Sequence, residues 1–244
     1  MKKDIVLVTG ASGGIGRAIG RAFAQKGWPV ALHYNRNPGP AQGAAKEIAA
    51  QGGRASCFQG DLTEEEGVNR LFAQVEAELG PVSVLVNNAG IAWQGLITDM
   101  SLADWRRVLD TNLTSVFLCC RRALPGMVRE KRGIIINISS MWGQQGASCE
   151  AAYSAAKAGV IGLTQALAME EGPSGIRVNC IAPGVIDTPM NSRLSEEELA
   201  ALAEETPLGR LGLPEEVAQA AVLLAENQFI TGQTLGVNGG FVVG

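Results

Sequence analysis

Strand-length runs, most of them apolar and rich in β-branched residues, recur at 5–8, 28–34, 55–59, 82–86, 134–138 and 176–181. Between them lie segments with helical patterning: an amphipathic stretch at 17–26, further stretches at 41–51 and from Thr63 onward, and an alanine-rich segment around 151–158. A long helix is expected over 102–132, bent at Pro125-Gly126, carrying Asn112 inward and an apolar face with Val116, Phe117 and Leu118 outward. Residues 191–206 are polar, acidic and helix-prone, with Ser195-Glu196-Glu197-Glu198 reading as an N-terminal cap. Strands alternating with helices predict an α/β architecture.

At 244 residues the chain is long enough for one α/β domain with a large core. It carries 20 Lys and Arg against 24 Asp and Glu, a net charge of −4, which argues against nucleic acid and anionic membrane surfaces as partners. No apolar run is long enough for a bilayer, and Met1-Lys2-Lys3-Asp4 leads straight into a strand rather than a signal peptide, so a cytoplasmic protein is expected. Five cysteines and one histidine lack metal-ligand spacing; free thiols and no metal are expected.

The first strand runs into Thr9-Gly10-Ala11-Ser12-Gly13-Gly14-Ile15-Gly16 and then a helix, an order that makes a phosphate-binding unit. Gly10 permits the tight turn, Gly14 lets backbone approach a pyrophosphate, and Gly16 allows helix on strand. The second strand ends at Tyr34, followed by Asn35 and Arg36. No carboxylate stands there to take a ribose 2′-hydroxyl, and a guanidinium is near, so NADP(H) is favoured over NAD(H), with Arg17 able to add charge. The alternative is a solvated Arg36 beside a flexible turn at Asn37-Pro38-Gly39-Pro40. Asp61, followed by Leu62, either accepts from an adenine amino group or caps the next helix. Asn87-Asn88-Ala89-Gly90 ends the fourth strand with small residues that leave room for a flat ring.

Tyr153 and Lys157 are four apart in the alanine-rich segment, so on a helix they share a face, and the ammonium is expected to lower the phenol's pKa into a working range. Ser140 follows the run at 134–138 and should emerge at a strand's carboxyl end, where open α/β sheets keep their chemistry. Glu150 either faces the cleft or caps the following helix. Cys149 has no base beside it and is not expected to be a nucleophile.

Taken in order, the glycine turn at 9–16, Asn87-Asn88-Ala89-Gly90, Asn112, Ser140, Tyr153/Lys157 and Pro183-Gly184 make the whole chain resemble a short-chain dehydrogenase/reductase. The resemblance implies a Rossmann-type doubly wound sheet of seven parallel strands with helices on both faces, a homotetramer, and a lid at 191–206. It implies that Tyr153 donates the proton, Lys157 assists it and holds the nicotinamide ribose, Ser140 polarises the carbonyl, and Asn112 supports a water in the proton relay. Ser139 competes with Ser140, which lies thirteen residues before Tyr153, the family's interval. Cofactor contacts are expected from Gly10, Ser12, Gly13, Gly14, Ile15, Gly16, Asn35, Arg36, Asp61, Leu62, Asn88, Ala89, Gly90, Tyr153, Lys157, Pro183, Gly184, Ile186 and Thr188, and a last strand within 229–240. The segments at 207–210, 214–217, 230–233 and 237–240 resemble the 3-oxoacyl-[acyl-carrier-protein] reductase branch, for which Arg129, Lys131 and Arg132 would meet an acidic carrier beside the cleft. Ser174 departs from that branch, which has a basic residue there. Residues 141–144 and 146–150 resemble an offshoot that reduces an aminopentanone-modified lysine on elongation factor P, where Glu150 and the acidic lid would face a cationic substrate. A protein that only senses a dinucleotide would show a degraded Ser/Tyr/Lys set, and this one is intact.

Overall fold

Runs of Val, Ile and Leu that read as strands form them because both faces of the sheet are covered by helices, and β-branched side chains pack well on a pleated surface. The computed structural model describes residues 4–191 and 194–243. Seven parallel strands, β1 (Ile5–Val8), β2 (Val30–Tyr34), β3 (Ala55–Gln59), β4 (Val82–Asn87), β5 (Gly133–Ile138), β6 (Ile176–Pro183) and β7 (Thr234–Val237), lie in the order β3-β2-β1-β4-β5-β6-β7. Alternate residues serve opposite faces. Val6 and Val8 pack with α1 (Gly14–Gln25), α2 (Gly39–Ala50) and α9 (Pro214–Glu226), while Ile5 and Leu7 pack with α3 (Glu65–Glu78), α5 (Ser115–Glu130) and α7 (Ala151–Glu171). The order reverses between β1 and β4, and the carboxyl ends of the strands open a crevice there.

Helix α7 shows how the sequence sets this packing. Ala152, Ala156, Val160, Thr164 and Ala168, spaced by four, are its buried stripe, small enough for the helix to lie close on β5 and β6. Lys157 is buried beside that stripe, one position along from Ala156. The buried Arg177 of β6 donates to Leu224 O (2.6 Å) and Ala225 O (2.7 Å), satisfying carbonyls at the end of α9, and to Ile230 O (3.3 Å) in the segment that follows.

Several boundaries differ from the sequence reading. Strand β2 begins at Val30 because Trp28 packs on Phe23 (5.3 Å between centroids) and Pro29 has no N–H to give a ladder. The expected flexible turn at 37–40 instead opens α2, with Asn37 Oδ1 accepting from Gly39 N–H at 3.2 Å. The long helix is interrupted elsewhere than expected: α4 (Leu102–Leu109) and α5 are joined by a π-helical turn, Asp110–Thr114, around Asn112, and Pro125 sits within α5. Of the three residues expected on its outer face only Phe117 is exposed; Val116 belongs to the core. Of the region expected to hold the last strand, only Thr234–Val237 pairs. The acidic segment forms α8 (Glu196–Glu205), closed by a capping box in which Glu198 N–H donates to Ser195 Oγ and Ser195 N–H to Glu198 Oε2. Ser192 and Arg193 of the expected lid lie outside the described residues. No described helix is long and apolar enough to cross a membrane.

Candidate active site

The glycine turn is shaped by what surrounds it. Gly10 has φ +67°, and a Cβ there would lie 2.7 Å from Ala89 Cα; a Cβ on Gly16 would lie 2.6 Å from Gly10 O, and one on Gly14 2.8 Å from Thr188 Cγ2. Asn88 braces the turn, its Nδ2 donating to Thr9 O (2.9 Å) and Gly10 O (3.2 Å). Thr9 Oγ1 accepts from the N–H groups of Asn88 (2.9 Å) and Ala89 (3.0 Å). From this turn a groove of about 570 Å³ runs along the strand ends, lined by Gly10, Ser12, Gly13, Gly14, Ile15, Gly16, Asn35, Arg36, Asp61, Leu62, Asn88, Ala89, Gly90 and Thr188 among others. It runs into a cleft of about 190 Å³ that shares Ile15, Asn88, Gly90, Thr188 and Met190 with it and adds Ser139, Ser140, Tyr153, Lys157, Pro183, Gly184 and Ile186. Residues spread over most of the chain thus line one continuous trough.

At its floor, Lys157 Nζ donates to Ile138 O (2.8 Å) and lies 5.6 Å from the Tyr153 ring centroid. Ser139 is spent on structure, its hydroxyl donating to Lys157 O at 2.8 Å, which leaves Ser140 as the serine turned to the phenol. Ser140 Oγ also accepts from Trp142 N–H (3.2 Å) at the start of α6 (Met141–Gln145). The phenol's electrostatics run against the sequence expectation. Burial pushes Tyr153 up to about 12, Glu150 adds to the rise, and the hydrogen bond with Ser140 only partly opposes them. Burial likewise lowers Lys157 to about 8. In the protein alone Tyr153 therefore carries its proton at neutral pH.

Asn112 lines neither groove nor cleft. It is buried beneath Gly90, where both amide hydrogens are taken by Ile91 O and Val108 O (2.9 Å each) and its Oδ1 accepts from Ile91 N–H (3.2 Å). Arg17 also lies outside the trough's lining. Asp61 does not cap α3, whose N-cap is Glu64; it forms a turn in which Oδ1 accepts from Thr63 N–H (3.0 Å) and Thr63 Oγ1 (2.7 Å), bonds that hold its carboxyl below the usual range, while the residue borders the groove. Glu150 stands at the N-cap of α7 but makes no capping bond; it lines the cleft, and burial raises its carboxyl pKa. Arg129, Lys131 and Arg132 do not border the cleft. They precede β5, at the opposite end of the strand from Ser140, and Arg132 pairs with Asp4. Among the described residues no group of three or more His, Cys, Asp or Glu is placed to hold a metal ion.

Residues 10–242 match the family described as Enoyl-(Acyl carrier protein) reductase. The oxidoreductase YmfI of Bacillus subtilis is 42% identical over 238 residues, spanning 96% of this chain and 97% of that one. The 3-oxoacyl-[acyl-carrier-protein] reductase FabG of Staphylococcus aureus is 41% identical over 236 residues, 96% of each. The chain belongs to the short-chain dehydrogenase/reductase family. A solved short-chain dehydrogenase/reductase-fold structure, a putative gluconate dehydrogenase from Agrobacterium tumefaciens, superposes with a TM-score of 0.93 at 34% identity, covering 98% of this chain and 97% of that one. Membership makes the protein an oxidoreductase and implies a nicotinamide dinucleotide as cofactor. The glycine turn, which admits no side chain toward β4 or Thr188, is a cradle that fits a pyrophosphate.

Among the groove residues that sequence reasoning missed, Arg107 and His33 bear polar groups of consequence. Arg107 adds a second guanidinium to the groove while pairing with Asp104 at 2.9 Å. His33 is buried at the end of β2; its Nδ1 accepts from Gly10 N–H (3.1 Å), so Nε2 carries the hydrogen and donates to Gly60 O (3.0 Å), tying the glycine turn to β3's exit. Burial lowers its pKa from 6.5 to about 4, against smaller opposing effects of the Gly60 bond and Asp61. Between those values the unfolded chain binds more protons than the folded one. His33's neutral form thus contributes stability that is complete above 6.5 and lost as the pH falls to about 4. The loss is expected to reach about 3 kcal/mol, read as a steeper acid-side fall in melting temperature than a His33→Gln protein shows; parallel curves for the two would refute it.

Proposed function

We propose that the protein is an NADPH-dependent reductase that converts a ketone to a secondary alcohol, on the model of the 3-oxoacyl-[acyl-carrier-protein] reductases. One observation carries the reading: Tyr153, Ser140 and Lys157 meet at the floor of a cleft continuous with the glycine groove. A bound nicotinamide dinucleotide would supply the hydride. Tyr153 gives its phenolic proton to the carbonyl oxygen, which becomes far more basic than the phenol as negative charge develops on it, and Ser140 Oγ holds that oxygen in place. Lys157 is fixed by Ile138 O beside the phenol and is positioned to hold the ribose and stabilise the phenolate left behind. Asn112, whose amide hydrogens go to backbone, acts by holding Gly90 and Ile91 under the cleft rather than by binding a water through that amide.

Gly10, Ser12, Gly13, Gly14, Ile15 and Gly16 would take the pyrophosphate, Asp61 and Leu62 the adenine side, and the loop from Pro183 to Thr188 the nicotinamide. Asn35 and Arg36 line the groove where β2 ends, and Tyr34 leaves that end without a carboxylate, which favours a 2′-phosphate. A homotetramer belongs to the same proposal; exposed Phe117, Met169 and Phe229 are where we place its contacts.

A second substrate reading has its own support. Glu150 lines the cleft half-buried, caps nothing and faces no cation among the described ion pairs, which suits a ketone bearing a positive charge, such as an aminopentanone-modified lysine on elongation factor P. The basic residues once expected beside the cleft stand at the sheet's other end, which removes one support for an acidic carrier. The deciding experiment measures oxidation of NADPH and NADH with an acetoacetyl thioester and an aminoketone in competition. Preference for NADPH and the thioester supports the first reading, preference for the aminoketone the second, and no ketone-dependent oxidation of either coenzyme removes both.

A further inference from the structure

The chain beyond β7 does not trail off. Asn238 Oδ1 accepts from Gly240 N–H (3.0 Å), its carbonyl from Phe241 N–H (3.1 Å), and its Nδ2 donates to Val242 O (3.1 Å). Gly239 and Gly240, at φ +64° and +90°, let the backbone fold back in a hook that side chains other than hydrogen rarely permit. This folded-back segment brings Phe241 edge to face with Trp142, 5.4 Å between centroids and planes at 90°. Trp142 in turn lines the cleft with Ser140 and Tyr153. Its backbone is pinned by Ser140 Oγ and by Gly143 packed on Lys157, where a Cβ would lie 2.7 Å from the lysine's carbonyl carbon. Those contacts hold the backbone at Trp142, and the Phe241 edge packs against its ring.

We infer that Phe241 is a specificity-determining positioning residue: from the C-terminal hook it holds the Trp142 ring as a wall of the cleft and so sets which ketones fit. The inference rests on the proposed reductase reading, and its test separates the two. Wild-type protein and the variants Phe241→Ala, Phe241→Leu, Phe241→Tyr and Trp142→Ala are compared with NADPH on a small ketoester, ethyl acetoacetate, and a bulky one, ethyl benzoylacetate. Removing Phe241 is expected to change the ratio of kcat/KM for the two ketones about 2- to 10-fold, the range set by losing one edge-to-face pair. The change should fall mainly on KM, with NADPH affinity unaltered. Phe241→Tyr restores the wild-type ratio, and Phe241→Leu repeats the loss should the alanine protein melt early. In the double variant with Trp142→Ala the ratio moves no further than in Trp142→Ala alone. An unchanged ratio in both the Ala and Leu variants, additive effects in the double variant, or a parallel loss of NADPH affinity would each overturn the inference while leaving the reductase reading intact. A wild-type protein that reduces neither ketone nor thioester nor aminoketone removes both.

Discussion

A Tyr153→Phe protein is expected to bind NADPH as the wild type does and to lose turnover by about 10²–10⁴-fold, the contribution of a positioned general acid. The substitution changes one atom. Phenylalanine fills the same volume, so the buried stripe of α7 is undisturbed and Lys157 keeps its bond to Ile138 O. Ser140 Oγ keeps the N–H of Trp142. What disappears is the phenolic proton, which burial and Glu150 make still harder to lose. A tyrosine present only for packing would show the opposite pattern, a small loss of stability and little loss of rate. The measurement is single-turnover NADPH oxidation alongside a fluorescence titration of NADPH. Turnover within a few-fold of wild type, with affinity unchanged, would sink the role assigned to Tyr153.

Gly10→Ala is expected to be the most damaging single methyl in the groove. A side chain at φ +67° is strained in any surroundings, and here its Cβ would stand 2.7 Å from Ala89 Cα, 3.0 Å from Ala89 N and 3.1 Å from Asn88 Nδ2. Backbone cannot step aside as a flexible side chain can, so the ends of β1 and β4 must separate, weakening the Asn88 bonds that hold the turn. Strain and overpacking together destabilise by about 2–5 kcal/mol, and NADPH affinity should fall by at least about tenfold as the cradle opens. Gly43→Ala is the control: it lies in α2 outside the groove, and nothing stands within 4 Å of the added Cβ. Urea midpoints and NADPH titrations of the two variants decide it. Equal behaviour would show that the turn tolerates a side chain and that its geometry is not what the dinucleotide needs.

What the sequence disclosed, and what it hid, divides along the range of the interactions involved. Strands were legible because a sheet covered on both faces demands uninterrupted apolar runs, and the trough was legible because parallel α/β topology delivers every strand end to one edge. The row shared by Tyr153 and Lys157 follows from helical spacing alone. The π-helical turn at Asp110–Thr114 does not, since it depends on Asn112 reaching the backbone of Ile91 on another segment. His33 looked like one more buried strand residue until the fold placed Gly10 and Gly60 on either side of its ring. The direction of the Tyr153 shift is hidden because a lysine four residues away is visible in the sequence, whereas the burial that raises the phenol is not. The basic triplet before β5 reads as a cleft feature only until α5 is seen to run the length of the sheet.

The placement of β1 bears on how the protein is made. Strand β1, made before its neighbours, ends up inside the sheet, hydrogen-bonded to β2 on one side and β4 on the other. A nascent chain can assemble the dinucleotide half once Asn87 has emerged, but the outer edge of β4 then stays bare until Gly133–Ile138 is synthesised. During that interval an apolar strand with unpaired amides stays exposed, a natural point for chaperone engagement and for co-translational aggregation.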